Sequence, residues 1–234
     1  MLREHVRSLQ PDCLVSGRIG HGLGDYESLG DNEVPGKRLD KASEGIATMN
    51  ESWGYKSLDN DWKSPAEIVN ILIDTVDCDA NFMLNVGPDA LGRFPSPCLD
   101  ILRALGAWLT VNSKAIYGAE EFPPLLECPY RHAKVTGRRG AMYLLTRRPP
   151  RDGELVHDGV RNHATNARVL SRPDLPVKIE ETHLDSPDFH RHEFQLPEGL
   201  DWDMPQTLEI QLEGKLSVAE KIYNSGHHGD LFNN

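Results

Sequence analysis

The chain has 234 residues, enough for one large or two modest domains with a real core. A formal net charge of −11 argues against a nucleic-acid partner, which needs a basic face, and leaves neutral or cationic ligands open. Cys13, Cys78, Cys98 and Cys128 stand far apart with no CxxC and no Cys/His ligand spacing, so neither a disulfide framework nor a cysteine zinc site is expected; buried free thiols are.

Residues 1–10 read as an amphipathic helix with Leu2, Val6 and Leu9 on one face, closed by Gln10-Pro11-Asp12. A chain that starts inside an uncapped helix is expected to be truncated. The same stretch lacks the apolar core and cleavage site of a signal peptide. No run reaches the roughly 18 apolar residues of a membrane helix, so no membrane partner is expected, and the compartment stays open. Cys13-Leu14-Val15-Ser16 is predicted as a short buried strand. A polar loop over 17–43 follows, dense in Gly and Asp and long enough to point to function. A second strand is expected over 47–53. Ser64-Pro65-Ala66-Glu67 is a capping box with Pro in the first turn, and Ile68, Ile71, Leu72, Thr75 and Val76 give the helix after it an apolar face to about Asp77. Residues 82–86 read as a strand ended by Gly87-Pro88. The Pro-rich turn at 94–97 opens a helix over 98–112 with Ile101, Leu102, Leu105, Trp108 and Leu109 on its face. This alternation is α/β.

After Gly118 prolines cluster and helical periodicity stops. β-like runs follow at 132–135, 141–146, 167–170, 177–181, 193–196 and 208–212, parted by turns such as Arg138-Arg139-Gly140 and Arg151-Asp152-Gly153. That spacing predicts an antiparallel β-sandwich, with a boundary near 119–128 and a loose polar tail at 224–234.

Gly17-Arg18-Ile19-Gly20-His21-Gly22-Leu23-Gly24 follows a predicted strand but has the wrong spacing for a dinucleotide fingerprint. The stretch from Gly30 to Gly36-Lys37 is one residue too long for a P-loop and lacks the Ser/Thr after Lys. Asp25, Asp31, Glu33, Glu44, Asp59 and Asp61 crowd the loops at the presumed strand ends. Glycoside cleavage needs two carboxyls, one to attack or activate water and one to protonate the leaving oxygen. Singly such acids are solvated loop residues; the cluster is what points to chemistry. Trp53, Tyr55 and Trp62 offer faces on which a sugar ring stacks, with core packing as the alternative. Asn50-Glu51-Ser52 is a glycosylation sequon that reads as coincidence, and His227-His228 as part of a solvated tail. There is no G-x-S-x-G elbow for a serine hydrolase.

Taken together, the run 9–20 (LQPDCLVSGRIG), Gly24-Asp25-Tyr26, Gly30-Asp31-Asn32-Glu33-Val34-Pro35, Thr48-Met49-Asn50-Glu51-Ser52-Trp53-Gly54-Tyr55, Trp62-Lys63-Ser64-Pro65, the run 82–88 (FMLNVGP) with Gly92-Arg93, and Ala115-Ile116-Tyr117-Gly118 resemble the α-L-fucosidases of glycoside hydrolase family 29. The resemblance covers about 1–118 well and the remainder weakly. It implies an α/β fold: the second half of a TIM-like (β/α)8 barrel over 1–120, then an antiparallel β-sandwich over 121–223. It implies a retaining hydrolase working by double displacement on a fucosylated oligosaccharide or glycoconjugate, with no metal or organic cofactor. The acid/base is expected at Glu33 first and Asp59 second, with Trp53, Tyr55, Glu44 and Asn85 around the substrate. The nucleophile strand and the fucose-binding histidines of the family are expected upstream of Met1, so the chain alone is expected to be inactive and, as a half-barrel, to self-associate or need its missing half. The alternative is a non-catalytic carbohydrate-binding or interaction module on the same scaffold. Two departures stand out. The family's Trp-Glu pair is Ser43-Glu44 here, removing an aromatic expected near the sugar. Its Gly-Gly before the Asn of the later strand is Asp79-Ala80, which is expected to strain the backbone.

Overall fold

The computed structural model describes residues 2–34, 36, 39–119, 133–186 and 188–219. The chain divides into two compact units, Met1–Ala107 and Trp108–Asn234. Apart from Ala119, the boundary region expected near 119–128 lies outside the described residues, as does the tail at 224–234 with His227-His228.

In the first unit, helix α1 (Leu2–Leu9) is strongly amphipathic yet buries none of its residues. Strands β1 (Glu27–Asp31), β2 (Ser43–Thr48) and β3 (Ala80–Asn85) form a parallel sheet in the order β1-β2-β3. Parallel neighbours need a crossover, and helix α2 (Pro65–Asp77) supplies it between β2 and β3. Its start is the expected capping box: the Ser64 hydroxyl accepts from Glu67 N, the Glu67 carboxylate accepts from Ser64 N, and Pro65 occupies the first turn. Those bonds, the Ser64 N–H first, hold the Glu67 carboxyl below its ordinary value. Helix α3 (Ser96–Ile116) runs four residues beyond the expected end. Met49, Ile68, Cys98 and Ile101 make the core of this unit, with Phe82, Leu84 and Trp62 against it.

Several strand expectations need correction. Residues 13–16 form no strand. They make one parallel bridge, Ser16 to Tyr26, and Leu14 is 71% exposed. The segment has β1 on one side and no second neighbour among the described residues to bury it. The supposed loop at 17–43 contains β1, whose sequence Glu-Ser-Leu-Gly-Asp has no β-branched residue to announce it. Strand β2 starts at Ser43 rather than Ala47 and ends at Thr48; Ser43, Gly45 and Ala47 are small and buried, leaving no apolar alternation to read. Cys78 and Cys98 are buried free thiols, Cys13 is only half-buried, and Cys128 lies outside the described residues.

In the second unit, β4 (Ala133–Arg138), β5 (Ala141–Thr146), β6 (Glu154–Val160), β7 (Ala164–Val169), β8 (Lys178–Asp185), β9 (Asp188–Gln195) and β10 (Gln206–Leu212) pair antiparallel. They make a four-stranded sheet, β4-β5-β10-β7, and a three-stranded sheet, β6-β9-β8. Gly140 turns the β4–β5 hairpin at φ +77°. Both sheets feed one core: Val135, Met142, Leu144, Leu208 and Ile210 from the first, Leu155 and Phe194 from the second. Strand β6 was not expected, because Asp158-Gly159 breaks its apolar run. The register slips there, between His157 and Val160, and Gly159 sits at φ +102°. The C-terminal part of α3 belongs to this unit, where the Trp108 indole N–H donates to Pro205 O at 2.7 Å. Among the described residues no helix is long and apolar enough to cross a membrane.

Candidate active site

The three strands of the first unit run parallel, so their C-terminal ends share one rim. Loops leaving that rim carry most of the expected site residues. After β1, Asn32 adopts φ +58° and turns its side chain to β2: its Oδ1 accepts from Thr48 N at 2.8 Å and lies 3.0 Å from the Thr48 hydroxyl. That buried hydroxyl also reaches the Asn50 carbonyl. The end of β1 is thereby tied to the end of β2. Glu33 follows directly. It is exposed, and it closes a tight turn in which its N–H donates to Gly30 O at 3.1 Å and its carboxylate accepts from Gly30 N at 3.0 Å. A Cβ on Gly30 would lie 2.4 Å from that carboxylate, so a larger residue there would push the Glu33 side chain out of this turn.

The β2 and β3 loops are stitched in the same way. Asn85, the last residue of β3, donates from Nδ2 to the Trp53 carbonyl at 2.7 Å. A Cβ on Gly87 would come within 2.8 Å of Gly54 C and 2.9 Å of Tyr55 N, so the two loops touch backbone to backbone. Trp53 is 39% exposed and Tyr55 53%; neither joins the core. Trp62, half-buried, packs against that core. Asp59 is half-buried in the Trp53 loop, where its carboxylate accepts from the Ser52 hydroxyl at 2.5 Å and from Asp61 N at 3.3 Å.

One expected residue lies elsewhere. Glu44 is the second residue of β2, paired with Ser28 and Asn81, and four residues of strand put it on the order of 13 Å from Thr48. It stands at the entry end of the sheet, away from Trp53 and Asn85. Ser43, which replaces the family's Trp, is beside it and buried, so the lost aromatic leaves the entry end and not the rim. The sequon residue Asn50 is 8% exposed, too buried to accept a glycan.

Asp25 and Asp31 hold structure. Asp25 accepts from Val15 N at 2.8 Å and from Arg3 and Arg7 at 2.5 and 2.6 Å. The Val15 N–H, and then the two guanidinium groups, hold its carboxyl low despite desolvation. Asp31 pairs with Arg18 at 2.8 Å, and Arg18 also bonds Ser28 Oγ and Leu29 O along β1. The residues that knit the rim — Asn32, Thr48, Ser52 and Gly87 — were not singled out from the sequence. Asn32 was readable as the residue in Gly-Asp-Asn-Glu most tolerant of a left-handed backbone.

Residues 1–114 match the family described as alpha-L-fucosidase. The chain is 32% identical over 178 residues to the alpha-L-fucosidase of Dictyostelium discoideum, covering 70% of this chain and 37% of that protein. It is 36% identical over 97 residues to the plasma alpha-L-fucosidase of Rattus norvegicus, covering 40% of this chain and 21% of that one. Among solved structures, the alpha-L-fucosidase of Vibrio sp. strain EJY3 superposes with a TM-score of 0.86 at 28% identity, covering 93% of this chain and 39% of the other. Isoenzyme 1 from Paenibacillus thiaminolyticus superposes at 0.77 with 27% identity, covering 90% and 52%. The chain thus spans from about a fifth to about half of the length of these relatives. By the matched residues, and by a likeness that extends over both units, the chain belongs to the α-L-fucosidase family.

Proposed function

We propose that this chain supplies the acid/base side and the aromatic wall of an α-L-fucosidase site, in which terminal α-L-fucosyl residues are cleaved from oligosaccharides or glycoconjugates with retention. In that reading residues 1–120 are the second half of a TIM-like barrel, and 121–223 a β-sandwich. Barrel enzymes place their chemistry on the loops after the strands. The observation that carries the proposal is the stitched rim: Asn32 to Thr48 and Asn85 to Trp53 gather the Glu33 turn, the Trp53–Tyr55 face and Asp59 at the C-terminal ends of three parallel strands. Glu33 is the first choice for acid/base, since its exposed carboxylate accepts one backbone N–H, from Gly30, among the described residues and can swing to a leaving oxygen. Asp59 is the second.

Double displacement also needs an attacking carboxylate. Asp25 and Asp31 are bound by arginines and are poor substitutes. The nucleophile of the proposed site therefore comes from polypeptide other than these 234 residues, and the isolated chain turns over no aryl α-L-fucoside. The test is turnover of 4-nitrophenyl α-L-fucoside by the chain alone and together with the remaining portion of an α-L-fucosidase barrel. Silence alone and activity on complementation are expected. Glu33→Gln should then lower kcat by about 10²–10⁴-fold, with Asp59→Asn milder. Turnover by the chain alone overturns the missing nucleophile. Fucose binding without turnover on complementation supports a carbohydrate-binding module in place of an enzyme.

A further inference from the structure

Away from the strand-end rim, the second unit gathers His163, Glu181, His183, His190 and His192 at one place. We propose that His163, Glu181 and His190 form a binding site for one divalent transition-metal ion, zinc being the probe of choice. One ligand atom from each lies within 4.8 Å of the other two. His163 Nδ1 is already 2.9 Å from Glu181 Oε2. A zinc ion with bonds of about 2.0–2.2 Å holds tetrahedral ligands about 3.3 Å apart, so only a small inward shift of His190 closes the set. Two imidazoles and a carboxylate are a borderline donor set that suits zinc, copper or nickel and disfavours magnesium and calcium.

The surroundings are built as a metal site's outer shell is built. Glu181 Oε1 accepts from Ala164 N at 2.5 Å and lies 3.3 Å from His192 Nε2, which leaves Oε2 turned to His163. His192 is fully buried, and the same Nε2 lies 3.0 Å from Asn162 O, fixing that nitrogen as the protonated one. The backbone that carries His163 is pinned: Asn162 Nδ2 donates to Glu213 O and Lys215 O at 2.7 and 2.9 Å, Ser217 N donates to Asn162 Oδ1 at 2.7 Å, and Glu213 N to His163 O at 2.9 Å. His163 and His190 rings lie 4.3 Å apart, centroid to centroid. His183 faces His190 across β8–β9 but is engaged by Asp188 and Asp185 at 2.9 and 3.4 Å, so it is a neighbour and not a ligand. The His163 side chain is 59% exposed, which gives an ion a way in, while Glu181 is 19% exposed. His163 precedes β7 of one sheet, whereas Glu181 and His190 lie on β8 and β9 of the other. A bound ion therefore clamps the two sheets together, and its effect is on stability.

The test uses the full chain stripped with chelator, then titrated with zinc by calorimetry and with cobalt by visible absorption. Expected are one equivalent bound, a rise in the melting temperature with zinc but not with magnesium, and a cobalt spectrum of low coordination number. His163→Ala is mostly a surface change and should keep the fold by circular dichroism. It should lose zinc affinity by more than the roughly 10–100-fold typical of outer-shell changes, and with it the thermal shift; Glu181→Gln and His190→Gln should do the same. A His227→Gln/His228→Gln variant should bind as the parent does. No zinc uptake, a dissociation constant in the millimolar range, or uptake that survives His163→Ala and vanishes in the tail variant each overturns the proposal.

Discussion

The two units solve the burial problem differently. The second closes on itself: two antiparallel sheets share one core, with Met142, Leu144, Leu155, Phe194, Leu208 and Ile210 all at 1% exposure or less. The first lays three parallel strands beside α2 and α3, yet Leu2, Leu9, Leu14 and Met83 stand 64%, 75%, 71% and 45% exposed. All-parallel sheets are ordinarily covered on both faces. The stitched rim therefore sits on the unit that satisfies itself less well, while the self-sufficient unit carries the histidine cluster. The exposed α1 face and the incompletely covered sheet leave apolar surface on the first unit in the chain as it stands.

Core truncation is the most direct way to break that contrast. Phe194→Ala empties a fully buried site between the sheets and should destabilise the second unit by about 3–5 kcal/mol in urea unfolding. Leu14→Ala should change the first unit by no more than about 0.5 kcal/mol, as an exposed side chain. Equal effects would mean that Leu14 is covered in solution, as self-association requires.

Acid should act chiefly on the second unit. His157 is fully buried, and neither of its ring nitrogens has a partner among the described residues. Burial, and then the neighbouring His192, push its pKa down to about 3. Unfolded, the same ring titrates near 6.5, so the unfolded chain binds a proton that the folded chain refuses. Stability should be unaffected by this group above pH 6.5, and should fall by up to about 1.4 kcal/mol per pH unit as pH drops from 6.5 towards 3. His192, lowered first by its own burial, acts with the same sign. Urea midpoints across that range measure the slope, and His157→Leu should flatten it by one proton; an unchanged slope would show that His157 is not its source.

The rim offers a more local test. Gly87→Ala forces a methyl against the Gly54–Tyr55 backbone and should cost about 1–3 kcal/mol by overpacking. A shift in tryptophan emission is expected as Trp53 moves. A silent substitution would mean that the β2 and β3 loops do not touch in solution.

What the sequence made legible follows from which forces speak locally. Helix α2 was readable to its last residue, because a capping box and a 3.6-residue apolar stripe are local signals. β5 was readable as an unbroken apolar run. β1 and β2 were not: β1 is a largely exposed Glu-Ser-Leu-Gly-Asp, and β2 buries the small Ser43, Gly45 and Ala47, so neither shows the apolar alternation that announces a strand. β6 was hidden by the Asp-Gly of its own bulge. At the site, the residue types with chemistry were visible as a motif cluster. The ties that gather them, Asn32 to Thr48 and Asn85 to Trp53, join residues 16 and 32 positions apart and carry no local signature. Glu44 was expected at the site from the acidic cluster and from its match to the family's Trp-Glu pair, whereas strand direction carries it to the other end of the sheet.

The departure at Asp79 yields the smallest and sharpest effect. Asp79 follows the Cys78 cap of α2, donates its N–H to Val76 O at 2.9 Å, and sits at φ +56° where the family pattern has glycine. A left-handed conformation costs an L-residue about 1–2 kcal/mol, less for Asp, whose short side chain tolerates it. Asp79→Gly relieves that strain but adds unfolded-state entropy that offsets part of the gain. The net expectation is stabilisation of the first unit by about 0.5–1 kcal/mol, read as a higher urea midpoint with unchanged m-value. A lower midpoint would mean that side-chain contacts of Asp79 outweigh the strain, and that the exchange of glycine for aspartate at this helix end is compensated by contacts of its own.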